Sequence, residues 1–327
     1  MSDSTNNSNS VMQEAFVEWQ QLNLPKFAVF GTLFTSAVDT LLFPFELVKT
    51  RLQVQGQTNI SHSCPQYLGT NDAISKIYKQ EGLKGFSKGL APALVVSIPT
   101  QILYFGGYEY SRYCLSKLIG GNHKSDAQDF LIEAAAGGIA EIISGTVWVP
   151  GDLVSQRLMI QGPDKKAHLY NGLTDACRKI LKTEGFSGLY VGFAASMCTH
   201  IPFSAVTWAV YEQSRRYMYR GGSADNADAD GSHVVNAVAG LIGGAVGGAV
   251  STPFDVVRVR QQAEGARPDA RQYRGLRRAL AEVVRQHGWR GLMRGVVPRM
   301  LGAAPSTAIM LVGYEFVKNQ CLKAPTI

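Results

Sequence analysis

Three copies of one pattern run through the chain, and this repetition limits its fold more than any other feature. The copies PFELVKTRLQ, PGDLVSQRLM and PFDVVRVRQQ begin at Pro44, Pro150 and Pro253. A tyrosine keeps a constant spacing of about 100 residues, at Tyr67, Tyr170 and Tyr273. Solenoid repeats are much shorter, roughly 20 to 50 residues. Each copy is therefore long enough to contain several elements of its own, which predicts a closed bundle with pseudo-threefold symmetry.

Long apolar segments accompany the repeated motif. Residues 89–108, 191–211 and 234–254 contain no Asp, Glu, Lys or Arg, and each has about the 20 residues that a membrane-spanning helix needs. Within a repeat, an apolar segment, the motif, a polar stretch of helical periodicity and a glycine turn precede a second apolar segment. We therefore expect an all-α membrane protein whose six transmembrane helices form three repeats of two spans plus a short amphipathic helix, around one central cavity.

The predicted boundaries follow the spacing of the copies. A polar segment covers residues 1–25, and the repeats cover 26–121, 126–220 and 233–322. The first segment contains acidic residues and no Arg, unlike a basic transit peptide, so any organelle address is expected within the repeats.

Charge and cysteine content argue against several other classes. The net charge is +7, but the basic residues recur at the ends of apolar runs and form no single stripe with aromatics, which argues against nucleic-acid binding. The five cysteines include no CxxC pair, so neither a zinc site nor a disulfide framework is expected. No GxSxG, HExxH, Walker A or GxGxxG motif occurs in a suitable context, and no enzymatic activity is predicted.

The first helix of each repeat combines small residues with two acids. Small residues spaced in multiples of four lie on one helix face and allow close packing in lipid: Gly31, Thr35, Gly137, Gly145, Gly240, Gly244 and Gly248. Asp39 lies five residues before Pro44, and Glu141 lies nine before Pro150. Ionisable groups within a span usually have a function.

The repeated motif resembles that of the mitochondrial carrier family, P-x-[DE]-x-x-[KR]-x-[KR], three times in nearly the whole chain. The family forms a gate on the matrix side, where the acid of each repeat pairs with the base of the next. The resemblance implies that Asp152 meets Arg258 and that Asp255 meets Lys49. Glu46 then faces Ser155, because the second repeat lacks the base. The family's glutamine brace is present as Gln53 and Gln262, with Met159 in the second repeat.

A second network in this family closes the cytoplasmic side with an aromatic-acidic-x-x-basic motif. Its three copies here are Tyr108, Glu109 and Arg112; Tyr211, Glu212 and Arg215; and Tyr314, Glu315 and Lys318. The resemblance also implies cardiolipin as a structural lipid, held at helix N-termini near Lys88, Gly89, Gly192, Arg294 and Gly295. No other cofactor and no metal are expected.

Substrate positions in the family lie about three turns before the acid of each second network motif. Counting back along each even helix gives Val96, Ser97, Thr199, His200, Gly302 and Ala303. None is Arg or Lys, which argues against nucleotides and carboxylates. Asp39 aligns with the cavity and favours an amine or a zwitterion. His200 and Glu141 are candidates for proton coupling, or else a neutral hydrogen-bonded histidine and a packed acid.

Three local stretches are most similar to carriers of branched-chain amino acids: PGDLVSQRLM, IPFSAVTW from Ile201 and AAPSTAIMLVGYE from Ala303. We therefore expect a monomeric mitochondrial inner-membrane transporter that works by alternating access on a neutral amino acid, with both termini facing the intermembrane space. The alternatives are a carrier of a nucleotide, cofactor or carboxylate, and a non-transporting scaffold or receptor. The sequence leaves open whether transport is uniport, exchange or proton symport.

Overall fold

All regular structure in the part of the chain that the computed structural model describes is helical. The described residues are 24–55, 66–118, 126–163, 169–220, 229–264 and 275–321. The α-helices are α1 Leu24–Val54, α2 Thr70–Glu81, α3 Leu90–Leu118, α4 Asp126–Met159, α5 Leu173–Glu184, α6 Phe193–Arg220, α7 Ala229–Ala263, α8 Leu276–Leu292 and α9 Val296–Cys321. The polar segment 1–25 lies almost entirely outside the described residues.

Six of these helices are long enough to cross a bilayer. Helices α1, α3, α4, α6, α7 and α9 contain 26 to 35 residues, and at about 1.5 Å per residue each exceeds the hydrocarbon thickness. Five segments also have the hydropathy of a span: Phe30–Val54, Leu83–Leu118, Phe186–Met218, His233–Ala263 and Val296–Gly313. Helix α4 is not among them; it carries Glu141 near its middle. The predicted all-α membrane fold in three repeats is confirmed.

The prolines of the repeated motif lie within the odd helices rather than at their ends. Pro44 is inside α1, Pro150 inside α4 and Pro253 inside α7. A proline removes one backbone donor, but the helix continues where its neighbours are otherwise packed. The acid of each motif and the residue three positions later, a base in α1 and α7 and Ser155 in α4, consequently lie on a continuous helical face, which points them towards the same place.

The short helices follow one plan in all three repeats. Helices α2, α5 and α8 bury the pairs Ala73 and Ile77, Ala176 and Ile180, and Ala279 and Val283. A glycine with positive φ follows α2 and α5, at Gly82 (67°) and Gly185 (71°), and the equivalent Gly288 (66°) kinks α8 internally. Only glycine adopts this conformation without strain, and it turns the chain towards the next span.

Close packing is concentrated on α7. A β-carbon on Gly244 would lie 2.6 Å from the Ala303 carbonyl oxygen of α9. On another face of α7, a β-carbon on Gly243 would lie 2.8 Å from the Thr207 carbonyl oxygen of α6. Gly31 in α1 and Gly137 in α4 have open space around them. Contrary to the sequence prediction, neither of these two glycines therefore lies at a close contact between helices. Helix α3 packs against α4, α6 against α7, and α9 against both α7 and α1, and these helices surround a central cavity.

Candidate functional site

The central cavity has a volume of about 600 Å³ and contains every predicted substrate position. This is within the usual range for small-molecule sites, roughly 300 to 1,000 Å³. The predicted residues that line it are Asp39, Val96, Ser97, Thr199, His200, Gly302 and Ala303. All three repeats thus contribute to one site.

Three ionisable side chains line the cavity wall: Asp39 of repeat one, and Glu141 and His200 of repeat two. The Asp39 carboxylate has no hydrogen-bond or ion-pair partner among the described residues. His200 Nδ1 lies 4.0 Å from Glu141 Oε1, and its ring packs edge-on against Trp148, with 4.6 Å between centroids. His200 Nε2 lies 3.4 Å from Arg258 Nη1. His200 therefore lies between Glu141 and Arg258.

Charged groups from the three motifs close one end of the cavity. We call Glu46, Lys49, Asp152, Asp255 and Arg258 the floor ring. Lys49 Nζ lies 3.4 Å from Asp255 Oδ2, and Arg258 Nη1 lies 3.6 Å from Asp152 Oδ2. Gln53 Nε2 donates to Asp255 Oδ2 at 2.9 Å. The floor ring therefore contains both ion pairs implied by the family resemblance, with Gln53 beside one of them.

The Ser155 hydroxyl is bonded to backbone rather than to Glu46, which differs from the sequence expectation, although both residues line the cavity. The hydroxyl donates to the Gly89 carbonyl oxygen at 2.7 Å, because the residue that precedes α3 lies directly against α4. Glu46 pairs instead with Lys49 of its own helix, and it lies 4.0 Å from Arg258 Nη2. The Ser155 position contributes a bond to backbone and no charge to the floor.

The even helices do supply a cation to the cavity, Arg299, which the sequence prediction of substrate positions had missed. Arg299 of α9 lines the cavity and pairs through Nη1 with Asp255 Oδ2. Its Nε donates to the Gly248 carbonyl oxygen at 3.1 Å and its Nη2 to Ser251 Oγ at 2.8 Å. Arg299 lies one turn before Gly302 on the same helix, and extending the count by that turn would have found it.

The glutamine brace differs among the repeats. Gln262 is buried beside Gly192, but its side-chain amide has no hydrogen-bond partner among the described residues. Met159 packs against Gly89.

In the cytoplasmic network, the Tyr211 hydroxyl donates to Asn236 Oδ1 at 3.2 Å. Arg215 Nη1 lies 3.8 Å from Glu212 Oε1 within α6.

The rest of the cytoplasmic network is described only in part. Glu109 is exposed, while Tyr108 and Arg112 are half-buried. The side chains of Tyr314, Glu315 and Lys318 lie outside the described part of the chain. The floor ring joins all three repeats, so the structure is closed at the floor.

Three buried arginines, absent from our sequence predictions, connect the repeats in a circle. Each is the last base of a motif and donates through Nε to a carbonyl near the end of the next odd helix: Arg51 to Met159 (2.9 Å), Arg157 to Gln262 (3.0 Å) and Arg260 to Gln53 (3.0 Å). A cation at a helix C-terminus satisfies acceptors that lack partners within the helix.

Each of these arginines also contacts the short helix of its own repeat. Arg51 pairs with Glu81 at 2.5 Å, and Arg157 Nη2 donates to Glu184 at 2.9 Å. Burial alone would raise the pKa of Glu81, but the hydrogen bonds and charges of Arg51 and Lys88 outweigh it and lower the pKa. In repeat three the acid is replaced by His287, whose Nδ1 lies 3.4 Å from Arg260 Nη1.

The predicted lipid-binding cations are engaged with protein atoms. Lys88 Nζ lies 2.6 Å from Glu81 Oε2 and donates to the Gly162 carbonyl oxygen at 3.0 Å. Arg294 Nη1 donates to the Gln55 carbonyl oxygen at 2.7 Å. The accompanying glycines have positive φ directly before helices α3, α6 and α9, at Gly89, Gly192 and Gly295. The first backbone amides of each following helix have no acceptor within the helix.

Six long helices in three repeats, around one cavity with a charged ring at its end, define a multi-pass membrane protein of the carrier type. Residues 20–118, 126–222 and 230–324 each match the family described as "Mitochondrial carrier protein". The chain therefore belongs to the mitochondrial carrier family, whose members are transporters and sit in the mitochondrial inner membrane.

Individual relatives cover almost the full length. The chain is 32% identical to solute carrier family 25 member 44 of Homo sapiens, over 94% of both chains. It is 28% identical to mitochondrial substrate carrier family protein J of Dictyostelium discoideum, again over 94% of both. A mitochondrial glutathione transporter of Danio rerio is 27% identical, over 88% of this chain and 85% of the relative.

Proposed function

We propose that this carrier transports a neutral amino acid across the mitochondrial inner membrane by alternating access. In its local motifs the chain is most similar to carriers of branched-chain amino acids, which makes leucine, isoleucine and valine the first candidates. The observation that carries the proposal is the Asp39 carboxylate, which lines the cavity without a partner among the described residues. The carboxylate is exposed to the cavity, and a substrate ammonium group would supply its counter-charge.

The rest of the cavity fits the other parts of such a substrate. Val96, Leu94 and Ala303 provide apolar lining for an aliphatic side chain. Ser97 and Thr199 already donate their hydroxyl hydrogens to the carbonyl oxygens of Leu94 and Ala195, both at 2.8 Å. They are therefore poor donors to a carboxylate, and His200 beside Arg258 is the better candidate.

The charge balance of the floor argues against polyanionic substrates. Lys49, Arg258 and Arg299 face three carboxylates, those of Glu46, Asp152 and Asp255. The floor therefore offers no surplus positive charge to a nucleotide or a tricarboxylate. A carboxylate substrate would also meet Asp39 and Glu141, which repel it.

A thermal-shift screen in detergent with cardiolipin, followed by uptake into liposomes, tests the proposal. Ligands that bind the folded protein raise its melting temperature. We expect leucine, isoleucine or valine to do so and to be taken up saturably, and Asp39→Asn to raise the half-saturating concentration about 10- to 100-fold. The matched control is Asp72→Asn, an acid bound to Lys76 on α2, outside the cavity.

Other outcomes would replace the proposal. Uptake of nucleotides, carboxylates or glutathione, with none of amino acids, would show that the cavity argument is wrong. Absence of transport for the whole panel would favour the scaffold or receptor. Equal effects of Asp39→Asn and Asp72→Asn would remove Asp39 from the binding site.

Proton coupling through Glu141 and His200 is a separate part of the proposal. Glu141→Gln removes the titrating group while keeping a similar shape. If the pair carries a proton, an inward proton gradient will stimulate uptake by the unmodified protein, and this stimulation will be lost in Glu141→Gln, while exchange without a gradient is retained. Equal stimulation of both proteins would assign Glu141 a packing role.

The lipid, the oligomeric state and the orientation complete the proposal. We propose that cardiolipin phosphates bind the backbone amides after Gly89, Gly192 and Gly295, that one chain is the functional unit, and that both termini face the intermembrane space. One chain already encloses the cavity, which supports a monomer.

A further inference from the structure

The motifs alone leave the floor ring with a deficit of one positive charge. They supply the carboxylates of Glu46, Asp152 and Asp255, but only the cations Lys49 and Arg258, because Ser155 occupies the third basic position. Asp255 is fully buried and Asp152 is nearly so, at 11% side-chain exposure. Leaving one buried carboxylate without a cation would cost several kcal/mol.

Arg299 removes this deficit from outside the motifs. Its side chain is 10% exposed and pairs with Asp255, which Arg258 Nη2 also approaches to 2.9 Å. Asp255 thereby has three cations near it. Because Arg299 pairs with Asp255, Lys49 and Arg258 can also pair with Glu46 and Asp152. Three carboxylates and three cations then balance.

The position of Arg299 has no basic counterpart in the other repeats. It lies four residues after Gly295, and the corresponding residues after Gly89 and Gly192 are Ala93 and Ser196. We propose that Arg299 supplies the third cation of the matrix-side gate, in place of the base that the second repeat lacks. It acts as a positioning residue, because it holds Asp255 and leaves the inter-repeat pairs to the other two cations.

This substitution changes what happens when the gate opens. Arg299 and Asp255 belong to the same repeat, and Arg299 is also bonded to Gly248 and Ser251 of α7. When α1 moves away from α7, Lys49 leaves Asp255, yet Asp255 keeps a cation. Its role during transport rests on the proposed alternating access, whereas its role in charge balance does not.

A double-mutant cycle in melting temperature tests the charge balance without any substrate. Arg299→Met keeps an unbranched apolar stem and removes the charge, so we expect a lower melting temperature. Ser155→Lys restores the basic position of the motif. Alone it adds a fourth cation and is expected to change the melting temperature little or lower it; combined with Arg299→Met, it should recover at least half of the loss.

The matched control is Arg294→Met, which removes a cation five residues earlier, before α9 begins, that donates to Gln55 rather than to the floor ring. Ser155→Lys should not rescue it. Equal shifts from Ser155→Lys in all backgrounds would overturn the proposal, as would a double variant no more stable than Arg299→Met.

A second route keeps the test decisive if Arg299→Met does not fold. Glu46→Gln in the Arg299→Met background removes one acid together with one cation and should yield folded protein. Failure of both Ser155→Lys and Glu46→Gln to restore it would show that Arg299 serves only to attach α9 to α7. Because uptake is not measured here, this result is independent of whether amino acids are the substrate.

Discussion

Gly151 is the residue whose identity most directly shapes the cavity wall. The other two repeats carry Phe45 and Phe254 at the corresponding position. A β-carbon on Gly151 would lie 2.5 Å from both methyl carbons of Val96. Val96, predicted as a substrate position, is therefore also fixed by contact between α3 and α4.

We expect Gly151→Ala to destabilise the protein. Helix propensity favours alanine by about 1 kcal/mol, but overpacking against a stiff β-branched side chain costs about 1–3 kcal/mol. The melting temperature should fall, and Val96→Ala should restore part of the loss. Gly137→Ala in the same helix is the control, because open space surrounds it and alanine should leave the melting temperature equal or higher. A decrease as large as that of Gly151→Ala would contradict the account.

Individual side chains were predictable where helical periodicity alone decides their direction. Counting along the even helices located six cavity residues, because a helix fixes which positions share a face. Arg299 escaped the count since it lies one turn deeper, and its pairing depends on Asp255 in another helix. Ser155 was assigned to Glu46 because its true acceptor, a backbone carbonyl at Gly89, is invisible to a rule about charged side chains.

Among the elements, α8 departs most from its two counterparts. Its His287 replaces the acids that bind Arg51 and Arg157, and it contacts Arg260. Burial and the positive charges of Arg260 and Arg294 lower the pKa of His287 below its ordinary value of 6.5. The folded state therefore favours the neutral imidazole.

This element should become less stable as the pH falls. Below about pH 6.5 the unfolded chain takes up a proton at His287 that the folded chain resists, so stability is lost as the pH decreases through that value. His287→Glu should raise the melting temperature by restoring a carboxylate partner for Arg260, and should remove this part of the pH dependence. His287→Gln should remove the pH dependence without the stabilisation. If the pH profiles of all three proteins between about pH 7.5 and 5.5 coincide, His287 does not titrate as inferred.

The order and type of the elements followed from the repeat, but their ends did not. Three copies of one pattern predicted three equivalent sets of two spans and a short helix. A proline commonly interrupts a helix, but α1, α4 and α7 each continue about ten residues beyond the motif proline. Packing of these helix ends on α2, α5 and α8 supports the continuation, and proline patterns alone carry no information about it.

The molecule as a whole is closed at the floor ring and holds its cavity above it. The ring is largely buried, and the attraction within a buried ion pair is offset by the cost of desolvating both charges. The ring can therefore open when a substrate binds the two states unequally. The three repeats are not equivalent. Helix α7 packs through glycines on both α6 and α9, and repeat two contributes no base to the floor ring.

The circle of arginines has a consequence for how the chain is made. Arg260 donates to the Gln53 carbonyl oxygen, 207 residues earlier in the sequence. Arg51 and Arg157 each donate to a carbonyl of a later helix, which is synthesised after them. Domains generally fold in order of synthesis, but here the first repeat depends on the second, the second on the third, and the third on the first. Insertion into the membrane can therefore proceed stepwise, whereas maturation is expected only once the last repeat has reached the first.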